Sequence, residues 1–275
     1  MEVKIFIPES KLLRQHIECF YILKHSKNDG AVNYLSYPSV NAVLSISNNA
    51  TQFSEGIYIS KHTGEDLLHS NLVYSFNTPI WLQYADDVDE ITVYFSPLGI
   101  NHFLEQPLSC YNNRLTDSFM PYNDYTDAIK SIMAKTADKE RIDRLEEYLL
   151  TKYKNFHHPF LQQAVEMILG HGDDITLGEE ALELGISRKT LHKHFLLHLG
   201  RTPSEFKNVA RFRKALHKKV SPSSEIKLTK LAYYADYFDQ AHMIKGFKAF
   251  TNTSPKKFFK GLTTNEQGLI NWSFR

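Results

Sequence analysis

The chain has 275 residues, 42% hydrophobic and 13% aromatic, with 32 Lys/Arg against 31 Asp/Glu and a formal charge of +1. That is ample apolar material for two packed domains; no run of about 18 apolar residues predicts a membrane span, and the first residues lack the pattern of a secretory signal. Cys19 and Cys110 are the only cysteines and form no CxxC, which points to a reduced, cytoplasmic setting with two small buried hydrophobes.

In chain order, residues 40–47, 56–60, 71–76 and 90–95 are short and rich in β-branched and aromatic side chains, and turn-forming clusters at 47–51, 62–66 and 85–87 separate them. Strands at this spacing predict a β-sandwich or small barrel. Phe53, Tyr58, Tyr74, Phe76, Trp81, Tyr84 and Tyr94 crowd the same region. They suit core and strand packing, and equally a cavity for an apolar or planar ligand. After Phe95 the pattern turns helical, over 97–104, 124–133 and 139–153, with Leu145, Leu149 and Tyr153 on one face. Residues 155–159 are the expected boundary, and His157-His158 before a proline reads as solvated linker. No P-loop, GxGxxG or GxSxG occurs, so no catalytic residue is assigned and no enzyme is expected.

Beyond residue 160 the sequence is written twice. Leu191, Phe195, Gly200, Pro203 and Phe206 return 52 positions later as Met243, Phe247, Asn252, Pro255 and Phe258, with Lys193 answered by Lys245; Ala181 returns as Ala232 at an offset of 51. Two copies are fewer than the roughly three a solenoid needs, so the repeat predicts a pair of helical units. In the first, Leu177, Ala181 and Leu184 are helically spaced, Gly185 suits a helix C-cap, Ser187 an N-cap, and Leu191, Phe195 and Leu199 a buried face. Two helices joined by a tight turn make a helix-turn-helix, whose second helix can enter the DNA major groove; Arg188, Lys189, His192 and Lys193 lie off its apolar stripe. The second unit has Asp236 where the first has Gly185, a residue less suited to such a turn. Asp239 can cap its second helix, whose polar face shows Gln240, His242, Lys245 and Lys248. A connecting helix from Pro203 to about Val220 joins the units, with proline at its first position.

These residues resemble the DNA-binding domain of the AraC/XylS transcription regulators over 160–262. Ala181-xxx-Gly185-x-Ser187 and Leu191-xxx-Phe195 match the first unit, and the stretch from Tyr237 through Phe247, Phe250 and Pro255 to Phe258 matches the signature of the second. The resemblance implies that Lys189, His192, Lys193, Gln240, His242 and Lys245 read bases. The N-terminal half also resembles a sensor of that family, through Pro8-x-Ser10, a helix ending near Phe20-Tyr21, a Pro38-Ser39 turn before a strand, and Phe95-x-Pro97-x-Gly99 leading to Leu115-Thr-Asp117. This implies a cupin-like barrel followed by helices that senses a small molecule or mediates dimerisation. His62, Glu65 and His69 lack the paired His-x-His with trailing Glu of a metal-binding cupin, so no metal and no cofactor are expected.

Charge agrees with the division. Residues 155–262 hold 17 Lys/Arg against 10 Asp/Glu, about +7, and residues 1–154 hold 14 against 20, about −6; a basic half suits phosphate, and an acidic half could restrain it. The reading is an α+β protein. Residues 1–155 form the β-rich cupin-like sensor or dimerisation domain with trailing helices, 156–262 the all-α double helix-turn-helix domain, and 263–275 a tail with no assigned role. The expected DNA-binding set is Ser187, Arg188, Lys189, His192, Lys193, Asp239, Gln240, His242, Lys245 and Lys248. Its partners would be double-stranded DNA, a small-molecule effector, RNA polymerase and a second copy of the chain, with no membrane. Two alternatives stand beside it: a cupin-type enzyme or metal-binding protein with a DNA-binding tail, and a constitutive DNA binder whose N-terminal half only dimerises.

Overall fold

The computed structural model describes residues 1–62, 68–111, 114–170, 176–221 and 226–261, with the backbone of 263–264 and 271–274. Glu65, weighed above as a metal ligand, lies outside the described residues. The N-terminal half holds β1 (Glu2–Phe6), β2 (Ile17–His25), β3 (Val32–Ser36), β4 (Ala42–Ser47), β5 (Asn49–Ser54), β6 (Ile57–His62), β7 (His69–Val73), β8 (Ile80–Tyr84) and β9 (Val88–Phe95), then α1 (Tyr125–Met133) and α2 (Asp138–Lys152). One sheet runs β1-β2-β9-β4-β7, all antiparallel. The other runs β3-β8-β6-β5, with β6 and β8 parallel. The expected barrel is thus a pair of facing sheets, and their described strands do not close into one ladder.

Strand alternation decides which face goes where. Phe20 and Ile22 of β2, Leu44 and Ile46 of β4, and Ile91, Val93 and Phe95 of β9 form one core with Ile129, Ile132, Met133, Ile142, Leu145 and Leu149 of α1 and α2. Each fully buried side chain of this size contributes about 1.5–3 kcal/mol. The alternate residues, Tyr21 and Leu23 of β2, meet Tyr34, Leu82 and Tyr84 of the second sheet. The helix that the resemblance implied before Phe20-Tyr21 is absent. A single 3-10 turn at Leu13–Gln15 precedes them, and both residues lie inside β2. A helix would carry Phe20 and Tyr21 toward neighbouring directions; the strand sends one into each core. The segment expected as a helix over 97–104 is likewise a 3-10 turn, Gly99–Phe103. Cys19 is buried as expected, its thiol pushed up to about 12 by that burial, whereas Cys110 is exposed.

That 3-10 turn anchors the exit from α2. The ring of His102 stacks 3.6 Å from that of His16 and 5.4 Å from that of Tyr153, and its carbonyl accepts from the Lys154 amide at 2.8 Å. Burial, with His16 beside it, pushes the His102 pKa down to about 4. Between pH 6.5 and about 4 the unfolded chain therefore binds more protons than the folded one, and stability falls as pH falls through that window. The expected outcome is that His102→Gln flattens the fall in the urea midpoint between pH 7 and pH 4.5. An unchanged slope would assign the acid sensitivity to other groups.

The C-terminal half is helical: α3 (Leu161–Gly170), α4 (Leu177–Glu183), α5 (Arg188–Leu199), α6 (Pro203–Val220), α7 (Leu228–Tyr234), α8 (Gln240–Thr251) and α9 (Pro255–Lys260). It has two cores. Leu161, Ala164, Ala181, Leu191, Phe195 and Phe206 pack in the first, together with Leu98 of the N-terminal half. Phe212, Leu216, Ala232, Met243, Phe247 and Phe258 pack in the second, with Leu35 and Tyr37. Each helical unit is thus closed by apolar side chains from the β-rich half. Past α9, the backbone forms β10 (Thr263–Thr264) and β11 (Asn271–Phe274); β11 pairs with β3, Trp272 opposite Ser36 and Phe274 opposite Tyr34. The tail, to which the sequence assigned no role, adds an edge to the second sheet.

Candidate nucleic-acid interface

The first turn-helix unit is built by its caps. Thr176 and Glu179 form a reciprocal capping box at the start of α4. Gly185 ends the helix at φ +67°, where the Ile186 amide donates to the Ala181 carbonyl and the Gly185 amide to that of Leu182. This double bond pattern is a Schellman motif. Ser187 then caps α5, accepting from the Thr190 amide at 3.0 Å. Leu191, Phe195 and Leu199 are buried, while Ser187, Arg188, Lys189, His192 and Lys193 are exposed.

The second unit repeats the device with a different residue. The Tyr237 amide donates to Ala232 and the Asp236 amide to Tyr233, the same two bonds 51 positions on. Asp236 holds φ +59° in place of glycine, and its carboxylate pairs with Lys214 Nζ of α6 at 2.6 Å. The left-handed conformation costs an ordinary residue about 1–2 kcal/mol, which this ion pair partly offsets. Asp239 caps α8, accepting from the His242 amide at 2.7 Å. Met243, Phe247 and Phe250 are buried; His242, Lys245 and Lys248 are exposed, and Gln240 is half-exposed. The Thr229 hydroxyl donates to Gln240 Oε1 at 2.7 Å, which holds the amide in place and leaves the second lone pair of Oε1 for a base. Gln240→Ala is expected to relax preference at one base position by about 1–3 kcal/mol, read from binding to single-base variants of a selected site. Uniform weakening over all variants would reduce Gln240 to a backbone contact.

The helices thus bring the expected residues onto two exposed faces, with Ser187 and Asp239 serving as helix caps at their edges. The charge count needs correction, because part of the basic excess is structural. Lys207 of α6 is buried 3.6 Å from Glu180 of α4. Arg201 is 1% exposed and donates to the Tyr74 carbonyl at 3.2 Å; burial lowers its pKa to about 10. Arg211 is buried too. A residue count cannot separate these cations from surface ones. The acidic half meets α5 at the helix's C-terminal end. Asn101 Nδ2 donates to the His198 carbonyl at 2.9 Å and the Ser75 hydroxyl to that of Gly200 at 2.7 Å. Its reach stops short of the exposed first turns of α5.

Between the two sheets lies a cavity of about 100 Å³, lined by Tyr21, Tyr34, Ser45, Asn71, Tyr84, Glu90 and Tyr94 and, from α6, Arg213. Of the aromatic side chains read from the sequence, Tyr84 and Tyr94 line this cavity, Phe53, Tyr58 and Trp81 line an adjoining groove, and Phe76 lines both. The hydroxyls of Tyr21, Tyr34, Tyr84 and Tyr94 stand in it beside an apolar lining of Val43, Val73, Phe76, Ile80, Leu82 and Leu115. Glu90 is buried there, accepting from Tyr84 at 3.0 Å and Thr92 at 2.7 Å, and burial raises its pKa. Arg213 and Tyr94 also line a cleft of about 410 Å³ between the halves, which Glu18, Asn41 and Lys214 complete. Arg213 stands close enough to Glu18 to pull its pKa down against the rise from burial. Arg213 escaped the sequence reading because it lies on the connecting helix, where a cation reads as a solvated face.

Residues 181–261 match the model of a family described as a helix-turn-helix domain. This stretch is an AraC-type DNA-binding domain. The regulator is similar in fold to ToxT from Vibrio cholerae, at 13% identity over 86% of this chain and 96% of that one, with a TM-score of 0.46. A structure of ToxT from Vibrio cholerae O395 bound to (E)-4-(8-methylnaphthalen-1-yl)but-3-enoic acid gives 12% identity over 86% and 96%, with a TM-score of 0.43. The xylose-binding transcription activator XylR gives 20% identity over 43% of this chain and 37% of its own, with a TM-score of 0.33. No curated protein matches the regulator's sequence. Among its described residues no helix is long and apolar enough to cross a membrane. The chain is a DNA-binding transcription regulator.

Proposed function

We propose that the regulator reads DNA with α5 and α8 in successive major grooves, and that a small hydroxyl-bearing effector in the cavity between its sheets sets the geometry of that reading. The observation that carries this is the placement of Arg213. It lies on α6, the helix joining the two turn-helix units, and lines both the inter-sheet cavity and the cleft between the halves. An occupant of the cavity finds acceptors at Glu90, hydroxyls at Tyr34 and Tyr84, and a cation at Arg213. In this reading residues 1–155 sense and 156–262 bind DNA, the protein works in the cytoplasm, and it catalyses no reaction.

Two recognition helices on one stiff connector should give footprints centred about 10 base pairs apart, roughly 34 Å. Protection of two adjacent segments on one DNA face by the full chain is the expected result. A footprint confined to one groove would reject the reading. The effector half is tested by thermal shift against small polyols, amino alcohols and hydroxy acids, since a ligand of the folded state raises its stability by mass action. The shift should vanish in Arg213→Ala.

A further inference from the structure

His158, which the sequence presents as linker, is half-buried, with its ring 4.7 Å from that of His194 and 5.4 Å from that of His198. His194 and His198 are four residues apart on α5, so they leave the same face of the helix; their rings lie within 11° of parallel at 6.1 Å. One ring nitrogen from each of the three lies within 4.8 Å of the others. We propose that His158, His194 and His198 bind a divalent transition-metal ion, Zn²⁺ foremost, and that the ion clips the linker between the two halves to α5.

The chemistry of the cluster fits. Three imidazoles are the donor set of an open zinc site, with water in the fourth position. Nitrogens in a tetrahedral shell with Zn–N near 2.0–2.1 Å stand about 3.3 Å apart, so closure asks only for modest rotation of the rings. His158 Nε2 and His194 Nδ1 already face each other at 2.9 Å across one hydrogen bond; the ion takes both lone pairs once the proton of His158 has shifted from Nε2 to Nδ1, which keeps the ring neutral and gives up the long contacts that Nδ1 accepts from the Phe160 and Leu161 amides at 3.5 and 3.3 Å. Asn101 supplies the outer support. Its Nδ2 donates to the carbonyls of His198 and Leu98, which turns its Oδ1 toward His198 Nδ1 at 3.3 Å. A ligating histidine that gives its other N–H to an oxygen is the usual way such a ring is oriented, and here it leaves Nε2 of His198 for the metal. Phe156 and Phe160 lie against these rings and form an apolar shell.

The test uses the full chain, stripped of metal with a chelator. Calorimetric titration with zinc chloride should show one saturable site, and Co²⁺ should give the intense visible bands of a tetrahedral complex. Affinity should fall at least about 100-fold in His194→Ala and in His198→Ala, and about 10-fold in Asn101→Ala. His157→Ala, which removes an exposed neighbour, should leave it unchanged. Absence of saturable binding by the unmutated chain, an octahedral cobalt spectrum, or equal binding by His194→Ala overturns the proposal. If His198→Ala fails to fold, the cobalt spectrum and the His194 variant still decide.

Discussion

Replacing Glu180 by alanine is expected to cost about 3–5 kcal/mol, the penalty for leaving one member of a buried ion pair without the other. Glu180 is 1% exposed on α4 and Lys207, 8% exposed on α6, is its partner at 3.6 Å. The pair fastens the first helix of the first turn-helix unit to the connector, between the apolar contacts of Ala181 and Phe206. Removal of the carboxylate leaves an ammonium in a region with little water to solvate it. Lys207→Ala should cost a similar amount. The double change Glu180→Leu with Lys207→Met should recover most of the loss, because well-packed apolar residues often replace a buried pair without penalty. Guanidinium unfolding of the four proteins makes the comparison. A single-mutant loss under about 1 kcal/mol would show that water reaches the pair. The destabilised variants should also lose DNA affinity, since α5 takes its position from α4 and α6.

Gly200→Ala should be nearly as damaging, at about 2–5 kcal/mol. Gly200 caps α5 at φ +68°, which costs a non-glycine residue about 1–2 kcal/mol. An added Cβ would also stand 2.3 Å from the Tyr74 ring and 3.2 Å from Ser75 Cβ. Overpacking of this kind adds about 1–3 kcal/mol. The clash lies where the β-rich half meets the turn between α5 and α6, so the variant should loosen that contact as well as the fold. Asn252, the counterpart in the second copy, holds the same left-handed cap at φ +56° and is exposed, so Asn252→Ala should cost only the backbone part. Calorimetric melting of the two variants makes the comparison. Equal losses would mean that Tyr74 yields freely and that strain alone acts.

The C-terminal half was legible because its signals are local. Caps, turns and apolar spacing all fall within one helix or its neighbour, so Gly185, Ser187, Pro203 and Asp239 could be read by position. The 52-residue offset even matched Gly200 to Asn252, which share one backbone conformation. The β-rich half hid more. β2 is buried on both faces, by α1 and α2 on one side and the second sheet on the other, so its apolar run 19–23 shows no alternation. β11 lies against β3 across more than 230 residues of chain, a pairing that no window along the sequence contains. The same holds for the site. His158 and Arg201 read as surface residues because the atoms that bury them come from distant segments. The exposed faces of α5 and α8 needed no such help.

Arg213 lies on α6 at its eleventh residue of 18. At about 1.5 Å per residue the rod extends about 15 Å to one side of that point and about 10 Å to the other. A tilt of about 10° about Arg213 would carry the two ends roughly 2.6 Å and 1.8 Å in opposite senses. One base-pair step along DNA is about 3.4 Å. Such a tilt would put the two reading heads out of step with the double helix by about a full step between them, and Phe206, Phe212 and Leu216, buried in the two cores, resist it. A connector tilting in this way would move as a seesaw with an off-centre pivot, and the arm that serves α5 is the longer one.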